Sequence, residues 1–154
     1  MKIELIKANE IHAEEIWNMQ KVAFKELFNK YKDFETNPAN EPLEKTVMRL
    51  RQPFTYFYFI IANGKKVGAI RVVDKMTGEN KRISPIFIMS EYRNNGYAQL
   101  AIIQVEKIHG LYNWELDTIL QEKANCHLYE KMGYCKTDNV KQVNDKLTLI
   151  LYKK

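Results

Sequence analysis

Hydrophobic and polar positions along the chain follow two periods, and the switches between them mark out its elements. Residues 2–7 set Ile3 and Leu5 against Glu4 and Ile6, a period of two that predicts a short strand. Asn9 is placed to cap a helix. Beyond it Ile16, Met19, Ala23 and Leu27 recur at helical spacing and predict an amphipathic helix over residues 11–30. Residues 31–40 are polar, contain Pro38, and read as a loop. Pro42 suits the first turn of a second helix with Leu43, Val47 and Leu50 on one face, and Pro53 closes it. Residues 54–62 are aromatic and β-rich, Asn63-Gly64 is a hairpin turn, and residues 67–74 answer it. Thr77-Gly78-Glu79-Asn80 then turns into a third strand over residues 82–89, where Pro85 argues for a sheet edge or a local distortion. Beyond Gly96 the helical period returns through Tyr97, Leu100, Ala101, Val105 and Ile108, up to Gly110. Residues 114–120 read as a strand and residues 125–132 as a short helix stopped by Gly133. Residues 134–136 and 146–152 read as a closing hairpin, with Leu147, Leu149 and Leu151 facing one way.

This order predicts a mixed α/β fold, with a mostly antiparallel central sheet of about six or seven strands flanked by about four helices. The strand–helix–strand passage over residues 82–120 needs a crossover, so one pair inside the sheet is expected to be parallel. With no repeat, low-complexity tract or Gly/Ser/Pro-rich linker, the chain reads as one domain over residues 1–154.

Composition narrows the partners. Lys and Arg number 24 against 19 Asp and Glu, a net charge of +5. That mild excess suits an anionic ligand, but without a polybasic block it gives little support to nucleic-acid binding. The longest apolar run, residues 56–62, is far short of the ~20 residues of a membrane span. Glu4 stands where a secretory leader would hold its apolar stretch. Two cysteines, Cys126 and Cys135, do not make a disulfide framework. The expectation is a cytoplasmic protein with no membrane and no nucleic-acid partner.

The most informative stretch is Arg93-Asn94-Asn95-Gly96-Tyr97-Ala98, which joins a buried strand to a buried helix. The first N–H groups of a helix have no internal partners and sit at the positive end of its dipole. Gly96 lets the backbone approach a ligand, Ala98 keeps the next turn small, and Arg93 adds a cation, which together make a phosphate cradle. The stretch is neither a Walker loop nor a dinucleotide fingerprint. Asn-Asn-Gly is also a common turn, and spacing alone slightly favours that plainer reading.

The same six residues match the Gln/Arg-x-x-Gly-x-Gly/Ala signature of the GNAT (Gcn5-related N-acetyltransferase) family at every fixed position. A second stretch, Asn125-Cys126-His127-Leu128-Tyr129-Glu130-Lys131-Met132-Gly133-Tyr134, is similar to that family's Asn-x-x-x-Tyr-x-Lys-x-Gly-Phe/Tyr motif. The chain thus resembles the family over nearly its whole length. The resemblance implies a GNAT-type fold with one splayed parallel pair. It also implies acetyl-CoA as cosubstrate, no metal, and direct transfer of the acetyl group to an amine of a small molecule or peptide, by a monomer or homodimer. It places the pantetheine arm along Ile88 and Met89, and the diphosphate on the main-chain N–H groups of Asn94, Asn95, Gly96, Tyr97 and Ala98, with Arg93 at the loop entry. Family members often have Gly where Asn94 stands, and Asn tolerates the left-handed backbone there. The main-chain N–H of Ile88 is the implied oxyanion donor. Tyr129 is the implied acid for the leaving thiolate, against the alternative of a core tyrosine. Asn125 is either a pantetheine contact or a helix cap. As base, Glu122 ranks ahead of Glu91, with a water path to solvent as the alternative.

Other residues read more plainly. His12, His109 and His127 lack metal-ligand spacing. Cys126 reads as a small buried residue rather than a partner for His127, and Cys135 as structural or near the surface. The aromatic run over residues 54–59 reads as core and solvent faces alternating in a strand, and Lys21, Lys25, Lys30 and Lys32 as a solvated helix face. Residues 24–51, with Phe28, Tyr31, Phe34 and Glu44, are the expected source of an aromatic and acidic amine pocket. The alternative functions are a CoA-binding sensor of the same fold without turnover and a nucleic-acid-binding domain.

Overall fold

The computed structural model describes residues 2–154; Met1, the first residue of the expected 1–154 unit, lies outside them. Seven strands form one sheet: β1 (Glu4–Lys7), β2 (Thr55–Ala62), β3 (Lys65–Val73), β4 (Lys81–Ile88), β5 (Trp114–Ile119), β6 (Cys135–Gln142) and β7 (Thr148–Lys153). Four helices accompany them: α1 (Ala13–Tyr31), α2 (Leu43–Arg51), α3 (Tyr97–His109) and α4 (Lys123–Lys131). The spatial order is β1-β2-β3-β4-β5-β7-β6. Every neighbouring pair is antiparallel except β4 and β5. The expected mixed sheet and its single parallel pair are both present. Among the described residues no helix is long and apolar enough to cross a membrane.

Two buried clusters hold the layers together. On one side Phe57 and Phe59 of β2, Ala69 of β3 and Phe87 of β4 meet Ile16 and Ala23 of α1. In the other, Tyr58 and Ile60 of β2 join Ala101, Ile102 and Val105 of α3, Trp114 of β5 and Cys126 and Tyr129 of α4. The aromatic run is therefore buried through both faces and does not alternate between core and solvent, because helices cover β2 on both sides. Strand β7, paired on both sides, behaves likewise, with Ile150 and Tyr152 buried along with Leu151 and the preceding Leu147.

Several boundaries move for physical reasons. Asn9 caps a 3-10 turn over Glu10–His12 that leads into α1: its Oδ1 accepts from Ile11 N and its own N–H donates to His12 Nδ1. Helix α1 runs on to Tyr31, and Pro38–Asn40 forms a further 3-10 turn inside the expected loop. Ile108 is exposed; the buried stripe of α3 continues through Ile102 and Glu106 instead. Strand β6 is eight residues long, almost wholly polar and exposed. It is an edge strand paired on one side only, so no buried face demands an apolar pattern.

Pro85 lies in a central strand, so the sheet-edge reading fails and the distortion reading holds. Ile86 pairs with Ile70 and Ile83 with Val72, leaving Ser84 and Pro85 opposite Arg71 alone. The consequence for the sheet is large. Strand β4 meets β5 only at Lys81–Trp114 and Arg82–Glu115. Beyond that, β4 stays with β3 as far as Ile88 while β5 follows β7 as far as Ile119. The two strands part, and a gap opens between them.

Candidate active site

Two cavities occupy the parting. One, of about 500 Å3, is walled by Ala23, Phe24 and Leu27 of α1, the end of β4, the start of α3 and the first turns of α4. The second, of about 390 Å3, lies between the 33–38 loop and the diverging strands β4 and β5. Phe24, Leu27, Ile86, Asn125 and Tyr129 line both, so the cavities join at these five side chains. A shallower depression on the outer side of α2 shares no residue with either.

The floor of the first cavity is the loop between β4 and α3. Asn94 and Gly96 both take positive φ, 64° and 78°. At Gly96 a side chain would meet open space but a strained backbone. No side chain caps α3, its first turn holds no acidic residue, and its first internal bond runs from Leu100 N to Gly96 O at 3.1 Å. The N–H groups of Tyr97, Ala98 and Gln99 thus have no helical partner, and these residues line the cavity with Asn94 and Gly96. Uncapped donors at the positive end of a dipole form an anion site.

Arg93 and Asn95 hold this loop in shape. Arg93 Nε donates to Ile88 O at 2.9 Å, Nη2 to Ala23 O at 2.8 Å and Nη1 to Glu26 Oε2 at 3.2 Å. The side chain expected as a fixed cation at the loop entry is held there as a brace from the loop to β4 and α1. Asn95 folds its amide back onto Tyr92 O and Arg93 O and does not line the cavity. Nor does Met89, whose N–H donates to Val67 O at 2.8 Å and whose side chain packs toward the α1 cluster. Strand alternation then turns the N–H and C=O of Ile88 away from β3, toward the gap. Its carbonyl is taken by Arg93, and its N–H, like that of Ile86 by the same alternation, faces the gap.

Tyr129 reaches in from α4. It is 8% exposed, packs against Tyr134 and Tyr152, and its hydroxyl has no hydrogen-bond partner among the described residues. Burial, with Cys126 beside it, pushes its pKa up to about 12, so the phenol stays protonated. Asn125, one turn earlier, is inside the helix and does not cap it; its side-chain amide is also unpartnered among the described residues and faces both cavities. Glu122 stands at the helix start. Its Oε2 accepts from Lys30 Nζ at 2.7 Å and from Tyr31 Oη, tying α4 to the end of α1. Burial alone would raise the pKa of Glu122, but those two bonds outweigh it and hold the carboxyl below its ordinary value.

Of the expected site residues, Ile88, Arg93, Asn94, Gly96, Tyr97, Ala98, Glu122, Asn125 and Tyr129 line one cleft. The expected acceptor pocket is redrawn. Phe28 turns edge-on to Phe34, 5.0 Å away, and Phe34 is exposed. Tyr31 is spent on Glu122, and Glu44 faces the outer depression. Phe24 and Leu27 are on the helix face that meets the cleft, and Asp33, Thr36 and Asn37 supply the loop wall. Two more residues escaped the sequence reading. Lys30 is exposed, as expected of a solvated helix face, and also lines the cleft rim. Gly68 lies opposite Ile88, where a Cβ would fall 2.1 Å from Phe87 O. A lone glycine inside a strand pattern was the available signal for that close approach.

A sequence profile described as the acetyltransferase (GNAT) family matches residues 13–134. No curated protein matches the chain in sequence. Among solved structures, the PaiA N-acetyltransferase of Thermoplasma acidophilum in complex with coenzyme A superposes with a TM-score of 0.75 at 15% identity, over 100% of both chains. The spermidine N-acetyltransferase of Vibrio cholerae, in complex with CoA and spermine, gives 0.74 at 15% identity, over 97% of this chain and 93% of that one. An acetyltransferase of Salmonella typhimurium that modifies the N-terminal serine of a 50S ribosomal subunit protein gives 0.69 at 11% identity, over 99% and 94%. At such identities the structures share the fold. The profile match takes in both motifs and most of the cleft, and the chain belongs to the GNAT acetyltransferase family.

Proposed function

We propose that the protein is an acetyl-CoA-dependent N-acetyltransferase, moving an acetyl group directly from the thioester to a primary amine of a small molecule or peptide. The observation that carries this reading is the uncapped start of α3 opening into the gap between β4 and β5, with the unpartnered hydroxyl of Tyr129 across from it. The residues present fit the cosubstrate: bare amides for a diphosphate, an open strand edge at Ile88, and a cleft long enough to continue into a second chamber. Structural relatives from Thermoplasma and Vibrio crystallised with coenzyme A agree with that assignment.

Acetyl-CoA supplies an activated acyl carbon and a thiolate leaving group. The N–H groups of Gly96, Tyr97, Ala98 and Gln99 hold its diphosphate, and Arg93 keeps their loop rigid by its three bonds to β4 and α1. The N–H of Ile88 donates to the carbonyl oxygen as charge develops there. Tyr129 Oη gives its proton to the departing sulfur, and the side-chain amide of Asn125 would hydrogen-bond the pantetheine arm. Glu122, kept ionised by Lys30 and Tyr31, is a poor proton acceptor for an ammonium ion; it contributes a fixed negative charge at the rim and holds α1 against α4. The amine proton leaves through the open mouth to water.

Calorimetry with coenzyme A and thiol release over an amine panel test this together. The expected result is saturable CoA binding and amine-dependent thiol release. Binding without release on any amine would replace the enzyme by a CoA sensor, and no binding would remove both.

A further inference from the structure

Helix α2 has an inner face and an outer one. On the inner face Thr46 is 1% exposed, Leu50 packs against the α1 cluster and Arg49 holds Glu41. On the outer face stand Glu44, Met48 and Arg51, all exposed, spaced four and three apart and so aligned on one stripe. Met48, at the middle of that stripe, is half exposed. The depression on this side of the helix has a volume of about 590 Å3, and its apolar lining is Leu43, Val47, Met48 and Pro53. Glu44 and Arg51 line it too, a negative charge in the first turn and a positive one in the last. None of these residues lines the cleft, so the proposed chemistry gives them no task.

Both end charges have capacity to spare. Glu44 has no hydrogen-bond or ion-pair partner among the described residues. Arg51 gives Nε and Nη2 to the carboxylate of Glu10, and its Nη1 has no partner among the described residues. The order of the charges selects an occupant. When a second α2 is laid antiparallel on the first, with a two-fold axis between Val47 and Met48, Glu44 of each copy faces Arg51 of the other. Glu44 lies as far before that midpoint as Arg51 lies after it, and Val47 likewise faces Met48. A surface related to itself by a two-fold axis has to be its own complement, and this one is. Parallel packing would set Glu44 against Glu44 and Arg51 against Arg51.

We infer that the outer face of α2 is a self-association surface, occupied by α2 of a second copy of this chain packed antiparallel. The inference does not depend on the acetyltransferase reading. Met48 of each copy, flexible and polarisable, enters the depression of the other against Leu43, Val47 and Pro53. Removing these apolar groups from water drives the contact, and the two crossed ion pairs set its direction. Nine residues make only about 13 Å of helix. A contact of that length falls at the small end of specific interfaces, so a dissociation constant of about 1–100 µM is expected.

Sedimentation velocity on the whole chain, from about 1 to 500 µM, tests this and should show a monomer–dimer equilibrium. Glu44→Arg and Arg51→Glu should each weaken it by about tenfold or more, because each sets like charges together at both ends. An equimolar mixture of the two single variants should associate as the wild type does, since one chain then brings two arginines and the other two glutamates. The double variant should also recover. Met48→Asp should weaken association by about tenfold or more in every background. The substituted positions are exposed, so each variant is expected to melt within about 3 °C of the wild type. A chain monomeric over the whole range would overturn the inference. So would a dimer that the single reversals leave intact, because its contact would lie on another face. Single variants that weaken association and fail to recover on mixing would overturn it as well, leaving Glu44 and Arg51 as complements to the dipole of their own helix.

Discussion

Tyr129 is the residue on which the chemistry turns. Its phenol is buried, unpartnered and protonated far above neutral pH. Tyr129→Phe is expected to lower kcat by about 100-fold or more while leaving the Kd for coenzyme A within a factor of about two, checked by single-turnover kinetics and calorimetry. Glu122→Gln should leave the acid limb of the pH–rate profile in place, because that limb then reports the acceptor amine itself; loss of the limb would restore Glu122 as base. Arg93→Ala should cost about 1–3 kcal/mol by denaturant unfolding, since it strips donors from Ile88 O and Ala23 O. The sequence marked Arg93 and Tyr129 as site residues but not what they touch. The partners of Arg93 on α1 lie 67 and 70 positions away, and no local pattern encodes such a pairing. The reach of Tyr129 was legible because it shares a helix with Asn125, and spacing four apart fixes a common face.

At the level of elements, the β4–α3 loop is the part most sensitive to backbone change. Gly96→Ala meets no atom within 4 Å, so its effect is purely the strain of a positive φ. About 1–2 kcal/mol of stability and roughly tenfold in CoA affinity should be lost, measured by melting and calorimetry, with Gly96→Asn milder on both. Gly68→Ala acts differently, by pushing the end of β4 away from β3 beneath Ile88, and should cost at least about 1–3 kcal/mol. Most elements were readable because each buries a face and so carries a period. Helix α1 and strand β5 fall within a residue or two of expectation. Strand β6 was largely invisible, since an exposed edge strand such as Cys135–Gln142 obeys no hydrophobic rule. The two-sided burial of β2 was hidden for the opposite reason: a run apolar on both faces has no alternation to read.

For the whole molecule, the ionisation of its tyrosines sets an upper pH limit. Tyr129, Tyr134 and Tyr152 are all raised above the ordinary phenol value, mainly by burial. The folded state therefore binds more protons than the unfolded one above pH 10, and stability must fall as pH rises from there. Each such tyrosine contributes about 1.4 kcal/mol per pH unit across its window, which for Tyr129 closes near pH 12. Urea midpoints between pH 9 and pH 11 should be flat at first and then drop steeply, against a shallow drift if these phenols ionise freely. The global topology was legible because one crossover forces one parallel pair; the parting of that pair was implied only by the family resemblance, because no local pattern encodes where pairing stops.

That stopping point leaves the β1–β4 and β5–β7 parts of the sheet paired only at a corner, through two residue pairs. The buried cluster around Trp114 spans both parts, so a molecule lying in the gap adds contacts to a core that they already share. The emission of Trp114, one of two tryptophans in the chain, should then sense the corner closing before any product is made.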